Sequence, residues 1–197
     1  MSYDVWLSFL SYAVVTALSP GPNNILALNA TSNYGFRRSR SLLSGIYLGF
    51  LAIQLLCIIS SSFLAALLPE LLPYMKYAGA AYICWLAWHV AVSQPMSAGP
   101  DTAVLSFGKG FVLQFANVKI ILWGLTAFTA YVLPYYSAPL TLLGFTLLAA
   151  LIGNGATLLW AVAGSAFSSL LQRYWRTANL TMALLLVYSA ASLLWQG

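Results

Sequence analysis

The sequence predicts an all-α polytopic membrane protein of six transmembrane helices, arranged as a 3+3 inverted repeat with spans one and four interrupted. Three observations lead there. The 197 residues are 61% hydrophobic and only 6% charged, with a mean hydropathy of +0.86. A soluble domain carries about 25% charged residues, so this chain lacks the polar surface to remain in water. Its apolar runs reach the roughly 20 residues that a bilayer span needs. Finally, polar breaks fall at matching places in the two halves.

Span one runs from Val5 to Tyr34 and is broken at LSPGPNN, Leu18 to Asn24. The amino terminus, MSYDVWLSFL, has no basic region or small-residue cleavage site and reads as the start of that span. Span two covers Ser41 to Leu68 and is expected to stop at Pro69-Glu70; span three covers Pro73 to Val92. A polar linker, SQPMSAGPDT, follows within residues 93–106. Span four runs from Phe107 to Leu133, span five from Ala138 to about Leu170, and span six from Ala178 to Trp195. The whole is read as one membrane domain, 1–197, with halves 1–92 and 107–197.

Basic residues set the orientation. Arg37, Arg38, Arg40, Lys109, Arg173 and Arg176 follow odd-numbered spans, and Lys76 alone lies on the other side. That asymmetry puts both termini outside the cytoplasm. Aromatics near the expected interfaces, such as Tyr3, Trp6, Tyr135, Tyr136, Tyr174 and Trp175, agree. No basic patch interleaved with aromatics is present, so the net charge of +5 reads as membrane orientation rather than nucleic-acid binding.

Span four has its own polar interruption, QFANVK from Gln114 to Lys119, and Asn117 lies about half the chain beyond Asn23. Interrupted spans in matching positions of inverted halves point to a transporter substrate site. At the first break, Pro20 and Pro22 lack backbone donors and obstruct the preceding turn, which frees carbonyls near Thr16 to Leu18. The helix restarting near Asn23 presents unpaired N–H groups and a partial positive charge, suited to a carboxylate. Asn23 or Asn24 is expected to cap it or to touch the ligand, and the freed carbonyls are expected to meet an ammonium.

Lys119 is the one formal charge deep inside a span, ten residues beyond Lys109 and so about 15 Å into the bilayer. A lysine there costs about 2.5–3.5 kcal/mol to insert, which favours an interior position with partners. No acid occurs within a span to pair with it. Trp123, one turn on, shares its face and could stack near a bound ammonium. Asn154, between Gly153 and Gly155, is a further site candidate. Gly45 and Gly49 read as packing positions.

Catalysis finds no support. Asp4, Glu70 and Asp101 are placed at span ends or in the linker, and His89 is the single histidine. No paired carboxylates, metal cluster or phosphate loop occurs, so no enzyme activity, cofactor or metal is expected. Cys57 and Cys84 fall within spans two and three. They read as small buried hydrophobes, with a transmembrane thiol relay as the alternative. A membrane scaffold without flux is a third reading.

The ordered set LSPGPNNILAL, GFRRSRSLLSGIYLGF, AGAAYICWLAWHVA and FVLQFANVKIILWG resembles the LysE/RhtB amino-acid exporters over essentially the whole chain. It is most similar to the cysteine/O-acetylserine branch. Many members of the family have Asn-Pro-Lys in span four; here it is Asn117-Val118-Lys119, a departure that branch shares. The resemblance implies an inner-membrane exporter of small amino acids. Pro20, Gly21, Pro22, Asn23, Asn24, Asn117 and Lys119 occupy the matching motif positions. It leaves the energy source and any homo-oligomer open.

Overall fold

A computed structural model describes residues 1–92 and 105–195, and among them all regular structure is helical. Helix α1 spans Tyr3–Leu18 and α2 spans Pro22–Tyr34. Helix α3 covers Phe36–Val92, α4 Phe107–Ala116 and α5 Val118–Thr126. A π-helical segment, Ala127–Val132, extends α5. Helix α6 covers Pro139–Ala166, α7 Ser168–Arg173 and α8 Trp175–Trp195.

Several boundaries differ from the sequence expectation. The stop at Pro69-Glu70 is not made: α3 continues through both Pro69 and Pro73. A proline removes one intrahelical bond and crowds one carbonyl, which allows a kink without ending the helix. The two arms of α3 nonetheless pack in different places. Leu42, Leu43 and Ile46 join Ala27 and Ala30, whereas Ile83, Ala87 and Val90 join Ile25, Val118 and Leu186. Ile25 and Ala27 are near neighbours on α2, while the 37 residues from Ile46 to Ile83 would span about 56 Å as straight helix. The arms therefore cannot lie along one straight rod. Span five ends earlier than expected, at Ala166, because Phe167 leaves helical geometry at φ −98° and ψ 16°. The last helix starts earlier, at Trp175. Linker residues 93–104, including Asp101, lie outside the described residues, as do the side chains of Glu70, Lys76 and Trp195.

Residues 36–60 and α6 are each long and apolar enough to cross a bilayer, and α4 with 118–132 qualifies as one broken span bent by 61°. Helix α1 and residues 79–92 are apolar but shorter. The outward side of α6 is a leucine stripe, with Leu140 82% and Leu151 71% exposed. Apolar surface on both sides of a helix is what lipid on one side and protein on the other requires.

Between α2 and α3 the chain turns at Gly35, whose φ of 76° with ψ of 157° is accessible only without a side chain. Helices α3 and α4 approach closely at glycines. A Cβ at Gly45 would press on the Phe107 carbonyl, and one at Gly49 would lie 2.8 Å from the Phe111 carbonyl oxygen. The packing role expected for both positions is what the structure shows. Since backbone rather than a flexible side chain stands in the way, Gly45→Ala is expected to destabilise the protein by about 1–3 kcal/mol. A lowered thermal midpoint in detergent checks this.

An aromatic cluster fills the space where α1 meets α6 and the π segment. Trp6 stacks on Phe145 at 5.2 Å and Tyr12 stacks on Tyr131 at 5.6 Å. Phe9 and Phe128 are fully buried among them. This cluster holds α1 so that its last turn faces Trp123 of α5.

Candidate substrate site

Both interruptions form, and they meet. Helix α1 ends at Leu18, Ser19 and Pro20 are extended or non-helical, and α2 restarts with Pro22 as its first residue. A proline there loses nothing, since its missing N–H would have had no helical partner. The cap residue is Gly21, not Asn23 or Asn24, and no side chain caps the helix. Ile25 N–H makes the first bond, to Gly21 O at 2.9 Å. The N–H groups of Asn23 and Asn24 thus lack intrahelical acceptors. The second break centres on Asn117, which leaves helical geometry at φ −81° and ψ 81° and begins α5 with no side-chain cap. It forms with Val118 in place of the proline common in the resembling family.

An amide cluster ties the breaks together. Asn23 Nδ2 donates to Gln114 Oε1 at 2.7 Å, and Asn23 Oδ1 accepts from Gln114 Nε2 at 3.1 Å and from Asn117 Nδ2 at 3.0 Å. All three side chains are buried. Each buried amide would be expensive without partners, so the cluster fixes the register of α2 against α4 and α5.

The carbonyls freed by the first break are occupied by side chains of the protein itself. Thr16 O accepts from Ser19 Oγ at 2.7 Å, Ala17 O from Asn24 Nδ2 at 2.8 Å and Leu18 O from Trp160 Nε1 at 3.1 Å. Ser19 O accepts from Asn24 Nδ2 at 3.0 Å, and Pro20 O accepts from Ser189 Oγ at 2.9 Å. Irregular backbone inside an apolar bundle persists only when it is satisfied in this way.

Lys119 completes the set. Its Nζ donates to Ser19 Oγ at 2.8 Å and to the carbonyls of Ser19 and Pro20 at 3.2 Å each. All three ammonium protons are directed at neutral oxygens on the α1–α2 link. This accounts for a lysine in an apolar bundle without a neighbouring acid. Gly21 makes room for it: an added Cβ would lie 2.7 Å from Lys119 Nζ and 2.9 Å from its Cδ. The φ of −166° at Gly21 is extended backbone open to any residue, so space is the requirement there.

Between the breaks lies a cavity, open on one side, whose non-atom space including that opening is about 380 Å³. Of the candidate site residues named from the sequence, Gly21, Pro22, Asn23, Asn24, Asn117, Lys119 and Trp123 line it. Trp123 Nε1 donates to Thr16 Oγ1 at 2.8 Å, and its ring lies against Phe50. Pro20 and Asn154 are not among the lining residues. Pro20 contributes only its carbonyl to the Lys119 clamp, and Asn154 is drawn away by donating to Tyr47 O at 3.2 Å. Sequence reasoning missed Phe50, Gly153 and Thr157 as lining residues and Gln114 as the partner of Asn23. Thr157 bonds Asn24 Oδ1 at 3.0 Å, and a Cβ at Gly153 would meet the Phe50 ring. Gln114 carried a signal, being an amide in the second interruption.

The cysteines differ in setting. Cys57 is buried, with its Sγ 3.7 Å from Ile121 O, whereas Cys84 is exposed; both are free thiols. Cys84 therefore departs from the buried position expected of it. Among the described residues no group of histidine, cysteine and acid side chains could hold a metal.

The chain is 46% identical over 183 residues to a cysteine/O-acetylserine efflux protein of Escherichia coli O1:K1, covering 93% of this chain and 94% of that protein. Proteins of the same name from Escherichia coli K12 and Shigella sonnei are 45% identical over the same coverage. No solved structure matches. The LysE type translocator model matches residues 14–197, and the chain belongs to that family of membrane transporters rather than to any class of enzyme.

Proposed function

We propose that this translocator exports small zwitterionic amino acids, with cysteine and O-acetylserine foremost, by alternating access across the bacterial inner membrane. The substrates are those for which its relatives at 45–46% identity are named. The cavity between the breaks offers such a zwitterion a cation, Lys119, and the amides of Asn23, Asn24 and Asn117.

The topology we favour has six spans: α1 with α2, the two arms of α3, α4 with α5 and the π segment, α6, and α8. They form inverted halves, 1–92 and 107–197, within one membrane domain. Loops carrying Arg37, Arg38, Arg40, Lys109, Arg173 and Arg176 face the cytoplasm, and both termini face the periplasm.

The observation that carries the reading is the Lys119 clamp beside the uncapped α2 terminus. The substrate carboxylate meets the N–H groups of Asn23 and Asn24 and competes for the Lys119 ammonium. Each proton drawn to the substrate is withdrawn from Ser19 or Pro20, so occupancy loosens the α1–α2 link. That couples binding to movement of one broken span against the other, with differential affinity of the two states supplying the drive.

Counterflow in proteoliposomes tests the proposal. Labelled cysteine and O-acetylserine are expected to exchange, while lysine and glutamate exchange at least tenfold more slowly. Absence of flux for every amino acid would favour a scaffold instead, and the settings of Cys57 and Cys84 give a thiol relay no support.

A further inference from the structure

The freed carbonyls near Thr16 to Leu18 are taken by side chains, so the ammonium of a substrate needs a different acceptor. One atom of a cavity-lining residue fits. Asn117 is 2% exposed, and its Oδ1 is buried without a hydrogen-bond partner.

Its orientation is fixed by a chain of bonds. Gly110 O can only accept, and it takes a proton from Gln114 Nε2 at 3.0 Å, which identifies the nitrogen end of that amide. Gln114 Oε1 then accepts from Asn23 Nδ2, so Asn23 presents Oδ1 toward Asn117. Asn117 must answer with Nδ2, and does so at 3.0 Å. Flipping Asn117 would bring two amide oxygens together. The relay therefore leaves a lone acceptor on a residue that lines the cavity together with Lys119. A buried acceptor without a donor is costly, and a donor supplied by the ligand removes the cost.

From this we infer that Asn117 Oδ1 accepts a proton from the substrate's α-ammonium and is the residue that distinguishes amino acids from the corresponding simple carboxylic acids. This rests on the export reading above and deepens it. The carboxylate at the α2 terminus and the ammonium at Asn117 would together select a zwitterion. An amide oxygen supplies this contact without placing a fixed negative charge in the span.

The test uses purified full-length protein in proteoliposomes and inhibition of labelled-cysteine counterflow by two unlabelled compounds. One is cysteine; the other is 3-mercaptopropionate, which is cysteine without its amino group. In the wild type, 3-mercaptopropionate is expected to compete at least tenfold more weakly. In Asn117→Ala the two should compete within about twofold of each other. A merely structural role would depress counterflow without changing their ratio. Asn117→Thr keeps one donor for Asn23 and one lone pair for the ligand, and an intermediate ratio is expected; this variant also serves if Asn117→Ala does not assemble. An unchanged ratio in the variants would overturn the Asn117 assignment alone. Absence of cysteine counterflow in the wild type would overturn the export reading and this inference with it.

Discussion

Replacing Lys119 with alanine is expected to lower cysteine export by at least about a hundredfold while leaving the protein in the membrane. Three charge-assisted hydrogen bonds join Lys119 to Ser19 and Pro20, and each such bond contributes about 1.5–3 kcal/mol. Without the ammonium, the α1–α2 link loses its clamp and the cavity loses its one cation. Other side chains still engage the same link, with Asn24 on Ser19 O and Ser189 on Pro20 O. The helices should therefore stay assembled while transport fails. Efflux from loaded vesicles, normalised to protein in the membrane, measures the effect. Lys119→Met, which keeps the stem and removes the charge, should behave like Lys119→Ala.

Gly21→Ala is expected to reproduce that loss without touching the charge. The new methyl would stand 2.7 Å from Lys119 Nζ and 2.9 Å from Cδ, so the lysine head must move off the link. Because the obstructed atoms end a flexible side chain, the backbone need not shift, and the thermal midpoint should change little. Export is expected to fall at least tenfold. Both substitutions act through one contact, so the double variant should be no worse than Lys119→Ala alone. Additive losses in this cycle would show that Gly21 matters for another reason.

Much of the candidate site is legible because polar residues in an apolar run are conspicuous. The Pro20–Asn24 cluster and the lone Lys119 are costly at membrane depth, and cost marks them before any contact is known. What the residues do there was less legible. That Asn24 turns back to hold Ala17 and Ser19, rather than capping α2, depends on where α6 brings Thr157. That Asn154 serves Tyr47 depends on the packing of α3 against α6. Partner choice across more than 90 residues is a tertiary outcome and leaves no local periodicity.

The fold shows the same division. Composition identifies helices suited to a bilayer, since apolar residues occur on both their lipid and protein sides. For that very reason the pattern cannot tell which side is which, or where a helix yields. Pro69 and Pro73 looked like a stop, yet α3 continues through both. The polar run Gln114 to Lys119 marks the second break but not its angle, which is 61°. There the bend is held by the Asn117 amide bonded to Asn23, a contact that only the assembled bundle provides.

The central claim is that the substrate carboxylate is held where the α1–α2 break meets Lys119. Equilibrium binding of labelled cysteine to the purified protein, in competition with cysteamine, tests it most directly, because cysteamine is cysteine without its carboxylate. The wild type is expected to bind cysteine at least tenfold more tightly than cysteamine, and Lys119→Ala to lose most of that preference. Undiminished discrimination in Lys119→Ala would contradict it.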